Sequence, residues 1–380
     1  MELRDLVRGF LKKIKPRISD VDALKPSIDA ILNVLKEDRN INIDEKLADL
    51  EENFNENKIK LVYAESQDDV MNYLSQLMKK ERLSIMIDDF SEFYEMKLYK
   101  FLIDNKIPHV YLDPTLEYAK RKYDIVSPEN IFKAMIDIRL SDFTKGFLKK
   151  IKDIAYKSYM GISGAIAIAA NMGSIFLLDM NGLSGLAATT PHKHIVVTGL
   201  DKVFYDFFSA FKVAVNMRRI IDKEGGSNLY VISNPSRTGD IEKIVIYGAH
   251  GPRELTVILL DNGRRGLFSE NIWREVSICN FCGLCGQMYP YLEVLSKYLN
   301  LSTYLFPQLI ILINGAYAGD LETLSRIAAF LEIFKRDFKC PFDAVRQTII
   351  YDILKKLYAL GVSREKAEEI AEESRILIEG

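Results

Sequence analysis

Three cysteines, Cys279, Cys282 and Cys285, form a C-x2-C-x2-C run, and a fourth, Cys340, is followed by Pro341. Such spacing points to metal chemistry before disulfides. Three thiolates this close can wrap one corner of an iron–sulfur cube. In two-cluster ferredoxins the fourth cysteine of each run, in the form C-x3-C-P, ligates the other cluster. Here Tyr289 holds that fourth place, with Pro290 after it. Counting back from Cys340 by the same spacing meets Arg336, Ile333 and Phe330. One ligand set, Cys279, Cys282, Cys285 and Cys340, is therefore complete. The other (Tyr289, Phe330, Ile333, Arg336) has no thiolate. The expectation is a single [4Fe–4S] cluster. A structural zinc on the same four thiolates, or a site without metal, are the alternatives.

Other residues offer polar chemistry. Asn234–Lys243 reads NPSRTGDIEK and follows a strand candidate. If it opens a helix, Ser236, Thr238 and the free amides can hold an anion, with Arg237 as a bidentate donor. Asp240 and Glu242 suit capping of that helix. A well-capped turn without ligand is the plain alternative. His250-Gly251-Pro252 stands just before an apolar run. His250 there is a candidate proton acceptor, or a structural histidine. Gly161, Ser163, Gly164 and Gly173 let backbone approach a ligand, or another part of the protein, closely. His192 and His194 flank Lys193 without a carboxylate at ligand spacing, so no metal site is assigned to them.

The elements that must carry these residues change character along the chain. Residues 1–57 read as a charged helical arm, with apolar positions at helical spacing in Leu6, Phe10, Leu11 and Ile14, and in Ile28, Ile31, Leu32 and Leu35. From residue 58 strands and helices alternate: strands near 59–63, 83–87 and 109–112, helices over 68–80 and 92–105. That alternation implies parallel pairing and an α/β sheet. No G-x-G-x-x-G follows the first strand, so the dinucleotide fingerprint is missing there. Further on, a helix over 143–158 precedes strands at 174–178, 195–197, 230–232 and 255–260. A long helix is expected over Asp201–Asp222, and two more over 343–357 and 364–377. The domains read as 1–57, 58–268 and 269–380.

Composition bounds the class. Lys and Arg number 51 against 53 Asp and Glu, so a dedicated nucleic-acid binder is disfavoured. The uncharged stretches Met160–Leu178 and Tyr298–Gly319 are each broken by polar and turn residues. They are expected to be buried elements rather than membrane spans. No cationic, apolar leader opens the sequence, so a cytoplasmic location is expected.

With these residues in view the chain resembles the lactate-utilisation iron–sulfur proteins, which join a LUD domain to ferredoxin-type cysteine motifs. The resemblance rests on GISGAIAIAANMGSIFLLD (Gly161–Asp179), HIVVTGLDKV (His194–Val203), NPSRTGDIEK, GAHGPRELTVILLDNGR (Gly248–Arg264) and the cysteine segment. It covers roughly residues 58–345, without the second cluster. It implies a LUD fold similar to ribose-5-phosphate isomerases and CoA transferases, followed by a helical iron–sulfur segment. It also implies redox partner subunits in a complex that oxidises L-lactate to pyruvate. Two rival readings remain: an enzyme that binds a small phosphorylated or CoA-linked anion in the LUD domain beside a structural cluster, and a non-catalytic redox-sensing subunit.

Overall fold

The computed structural model describes residues 22–81, 85–87, 90–96, 98–123, 134, 143–179, 182–222, 226–239, 244–267, 319–334 and 347–379. These fall into two compact units. One holds the described residues of 29–126 and 137–261. The other holds residues 22–28, 134 and those from 262 onward.

The first unit is built on a six-stranded parallel sheet. Its strands are β1 (Lys60–Ala64), β2 (Ile85–Ile87), β3 (His109–Tyr111), β4 (Met160–Ser163), β7 (Lys193–Gly199) and β12 (Glu254–Leu260), in the order β1-β12-β7-β4-β2-β3. The parallel α/β expectation from alternating strands and helices therefore holds. Strands covered on both faces must be apolar nearly throughout. β7 is buried from His194 to Gly199 and β4 throughout, as the two middle strands, and β12 beside β7 is buried from Val257 to Leu260. Among the described residues β1 pairs with β12 alone, and its Lys60 and Tyr63 are exposed.

A smaller sheet has the order β8-β5-β6-β9, from Val203–Phe204, Ala167–Ala169, Ser174–Asp179 and Asn228–Ile232. The turn between β5 and β6 ends on Gly173 at φ 58°, a left-handed conformation that glycine adopts without strain. Phe54 and Asn57 approach that turn so closely that an added Cβ would stand 3.0 Å from each. Helices α1 (Lys25–Asp38) and α2 (Ile43–Glu56) precede β1. Leu50 and Phe54 of α2 are fully buried. From residue 29 onward, then, the expected N-terminal arm is part of the α/β unit.

Helices α3 (Gln67–Glu81), α4 (Ser91–Glu95), α5 (Leu98–Asp104) and α6 (Pro114–Tyr123) connect the early strands. The expected single helix over 92–105 is thus two. α7 (Phe143–Lys157) leads into β4, and α8 (Ser184–Thr189) precedes β7. Phe147, Ile151 and Ala155 recur every four residues on one face of α7 and pack with Leu183 and Ala187 beside α8. α9 (Phe207–Ile221) starts later than the expected Asp201. Asp206 caps it, accepting from the Phe208 and Ser209 amides, while residues 200–204 form a short 3-10 turn and β8.

No helix opens in the described residues of NPSRTGDIEK, 234–239. β10 (Arg237–Gly239) pairs antiparallel with β11 (Val245–Tyr247) instead. Ile244, Val245, Ile246 and Tyr247 are β-branched or aromatic, and they draw Thr238 into a ribbon. Residues 240–243, including Asp240, lie outside the described residues.

In the second unit α10 (Arg264–Leu267) is followed by α11 (Leu321–Phe334), α12 (Gln347–Ala359) and α13 (Arg364–Glu379). The two expected C-terminal helices are both present. Gly361, at φ 96°, breaks the chain, and the Ser363 hydroxyl accepts from the Lys366 amide to start α13. Tyr358 of α12 donates to Glu332 of α11 at 2.8 Å. No helix among the described residues is long and apolar enough to cross a membrane. The 160–178 stretch forms strands and a turn; residues 298–318 lie outside the described residues.

Candidate functional site

The glycine-rich segment brings its close approaches to the protein's own chain. A Cβ at Gly161 would stand 1.9 Å from the Ala187 carbonyl oxygen, because α8 rests directly on β4. A Cβ at Gly164 would meet Phe90 at 2.7 Å. The volume left by these missing side chains is filled from within. Ser163, at the end of β4, is fully buried, and its Oγ lies 2.8 Å from His194 Nε2 on neighbouring β7. Burial pushes the His194 imidazole down to about 3, so the ring is neutral at physiological pH. Among the described residues its Nδ1 has no hydrogen-bond partner. A serine–histidine pair can activate a nucleophile, but this one is sealed from solvent. Close by, buried Glu92 of α4 accepts from the Gly199 amide at 2.9 Å and so fastens α4 to the end of β7.

The opposite, N-terminal end of the sheet is open. Tyr159, His192 and Arg253 each stand one residue before β4, β7 and β12, which are neighbours in the sheet. The approach to the strands is fixed by main-chain bonds. The Lys193 amide donates to the Tyr159 carbonyl at 3.0 Å, and the Arg253 amide to the His192 carbonyl at 2.9 Å. Adjacent strands lie about 4.8 Å apart, so side chains at equivalent positions meet. The Tyr159 and His192 rings stack at 5.1 Å with 9° between their planes. One row further along the strands, Lys193 pairs with Glu254 at 3.3 Å, and its ammonium lies 5.5 Å from the centre of the Tyr159 ring.

Tyr159, His192 and Arg253 wall a cavity of about 460 Å³, within the usual range for small-molecule sites. α7 supplies Tyr156 and Lys157 from its C-terminal end, because its apolar face is committed to α8. The β10–β11 ribbon supplies Tyr247, and the following loop Gly248 and Gly251. Ser236 joins the two loops that the sequence singled out. Its amide donates to the Pro252 carbonyl at 2.8 Å, its carbonyl accepts from Gly248 at 2.8 Å, and its hydroxyl accepts from the His250 amide at 3.0 Å.

Of the residues expected to bind a ligand, Ser236, His250 and Gly251 thus come together beside this cavity. Arg237 is exposed opposite Tyr247, and Thr238 opposite Ile246, on the ribbon. Gly161, Ser163, Gly164 and Gly173 are elsewhere and packed against protein. Tyr159 and Arg253 were not singled out by the sequence, though each occupies the position just before a strand. Cys279, Cys282, Cys285 and Cys340 lie outside the described residues. Among the described residues, no group of three or more His, Cys, Asp or Glu side chains is placed to hold a metal.

Comparison with known proteins places these features in a family. Lactate utilization protein B of Bacillus subtilis (strain 168) is 24% identical over 224 residues, covering 57% of this chain and 42% of that protein. Its namesake from Bacillus cytotoxicus is 22% identical over 272 residues, covering 66% of this chain and 54% of that protein. The chain therefore spans about half the length of the curated relatives it matches. A solved structure, a DUF162 family protein from Deinococcus radiodurans, aligns at 13% identity with a TM-score of 0.36, covering 58% of this chain and 99% of that one. The family model described as the LUD domain matches residues 47–260, from α2 through β12 and more than half of the sequence, and the chain belongs to the LUD-domain family.

Proposed function

We propose that this LUD-family chain is an iron–sulfur electron-transfer subunit of lactate utilisation, carrying one [4Fe–4S] cluster on Cys279, Cys282, Cys285 and Cys340. The observation that carries the reading is the donor set. Four thiolates in the pattern C-x2-C-x2-C…C-P follow the LUD domain, and the complementary set of a second cluster is missing. Relatives named Lactate utilization protein B support the metabolic setting. Bound to these thiolates, the cluster supplies one-electron transfer. The Ser163–His194 pair is sealed, which favours a binding or docking role for the α/β unit over hydroxy-acid chemistry inside it. On this reading the chain works in the cytoplasm, with the substrate chemistry on redox partner subunits.

Anaerobic reconstitution of the full chain tests the proposal. About four irons and four labile sulfides per chain are expected, with a reversible one-electron paramagnetic signal. Cys340→Ser lowers the iron content and changes that signal. One zinc per chain with no labile sulfide overturns the proposal.

A further inference from the structure

The cavity before β4, β7 and β12 has charge of one sign. Lys157 and Arg253 are among its lining residues, and no carboxylate is. Among the described residues neither cationic head group has an ion-pair partner, whereas neighbouring Lys193 is occupied by Glu254. α7 ends here, and a helix C-terminus by itself disfavours an anion. That end is blunted. The Ser158 amide donates to the Ala155 carbonyl, the Ser158 hydroxyl donates to the Ile154 carbonyl at 2.9 Å, and Lys157 sits in the last turn.

The same cavity offers a flat aromatic surface. The Tyr159 and His192 rings already touch, so a ligand ring stacks on the outside of the pair. On the His192 side the residue just before the next strand is Arg253. Tyr156, 82% exposed, and Tyr247 add two phenol rings to the walls. Two cations without ion-pair partners match a dianion, and guanidinium binds phosphate oxygens in pairs. A bare phosphate leaves most of about 460 Å³ unfilled and the ring stack unused.

We infer that this cavity binds a mononucleotide-like ligand, its heterocycle against His192 and Tyr159 and its phosphate between Arg253 and Lys157. The inference is independent of the cluster, which belongs to other residues. Calorimetric titration of the full chain with adenosine, uridine and flavin mononucleotides tests it. At least one of the three binds; its nucleoside, lacking the phosphate, binds tenfold or more weakly, and inorganic phosphate alone competes poorly. His192→Ala and Arg253→Gln, both at exposed positions, each weaken binding at least fivefold. Lys149→Gln, a loss of charge equal to that of Arg253→Gln but on α7 away from the cavity, leaves it unchanged. If none of the three mononucleotides binds, or if binding ignores both substitutions, the inference is wrong.

Discussion

Asp38→Ala should cost the α/β unit more stability than its position at a helix end suggests. Asp38 closes α1 and accepts from Lys46 of α2 at 2.5 Å, with the two side chains only 5% and 6% exposed. Its other oxygen accepts from the Tyr205 amide at 2.7 Å, tying the corner to the segment after β8. Burial already pulls the Lys46 ammonium below its usual range, and Asp38 is the group that opposes this. Removing Asp38 leaves a buried cation without its counter-charge and a main-chain amide without its acceptor. Breaking a buried pair from one side costs about 3–5 kcal/mol. At roughly 2–4 °C per kcal/mol for a unit of this size, Tm falls by about 6–20 °C.

The deficit depends on pH in a defined direction. In the variant the folded Lys46 loses its proton at a lower pH than the unfolded lysine does. Between those two values the unfolded state binds more protons, so stability rises with pH. The gap to wild type is therefore full below the variant's folded value and narrows as pH rises toward the wild type's folded value, which itself lies below the unperturbed 10.5. Adding Lys46→Met removes the stranded charge and restores most of the loss. A residue of about 1–3 kcal/mol remains for the unpaired Tyr205 amide. Calorimetric melts of wild type, Asp38→Ala and the double variant measure all three quantities. A single variant within about 1 kcal/mol of wild type, or a double variant no better than the single, refutes the reasoning.

Gly161→Ala should destabilise by about 1–3 kcal/mol or more, because the new methyl meets the backbone of α8 rather than a flexible side chain; thermal unfolding of the purified variant reads this directly. Acid should destabilise the wild type through His194. Its folded pKa of about 3 lies below the unfolded 6.5, so the contribution is complete above the unfolded value and is lost as pH falls toward 3. The full loss is on the order of 5 kcal/mol, and urea titrations of His194→Asn at pH 7 and pH 4 should show a shallower acid dependence than wild type.

How much of this was legible in the sequence follows from what each residue type can signal alone. The runs Ile195–Val197 and Leu255–Leu260 were readable as strands because a doubly covered parallel strand must be apolar throughout. The structure extends them by a residue or two at the polar ends. β4 and β5 were not assigned, since Gly161, Gly164 and the alanines carry little strand preference and are held by partners. Ile244–Tyr247 went unnoticed as a strand. Without that partner in view, NPSRTGDIEK reads as a helix start. The cavity was the least legible feature. Tyr159, His192 and Arg253 are far apart in sequence, and only the sheet order makes them neighbours. Ser236, His250 and Gly251 were legible as candidates because loop residues of those types rarely serve packing alone.

The position of β12 has a consequence for how the protein is made. It is the last strand of the large sheet to be synthesised, yet it lies between β1 and β7. Until residues 254–260 leave the ribosome, β1 lacks the neighbour it will eventually bond, and one side of β7 stays bare. Pairing over so long a chain separation is slow and leaves apolar edges open to wrong partners. A nascent chain halted while residues 254–260 are still inside the ribosome is thus expected to need a chaperone, and one halted after they have emerged to close its sheet unaided.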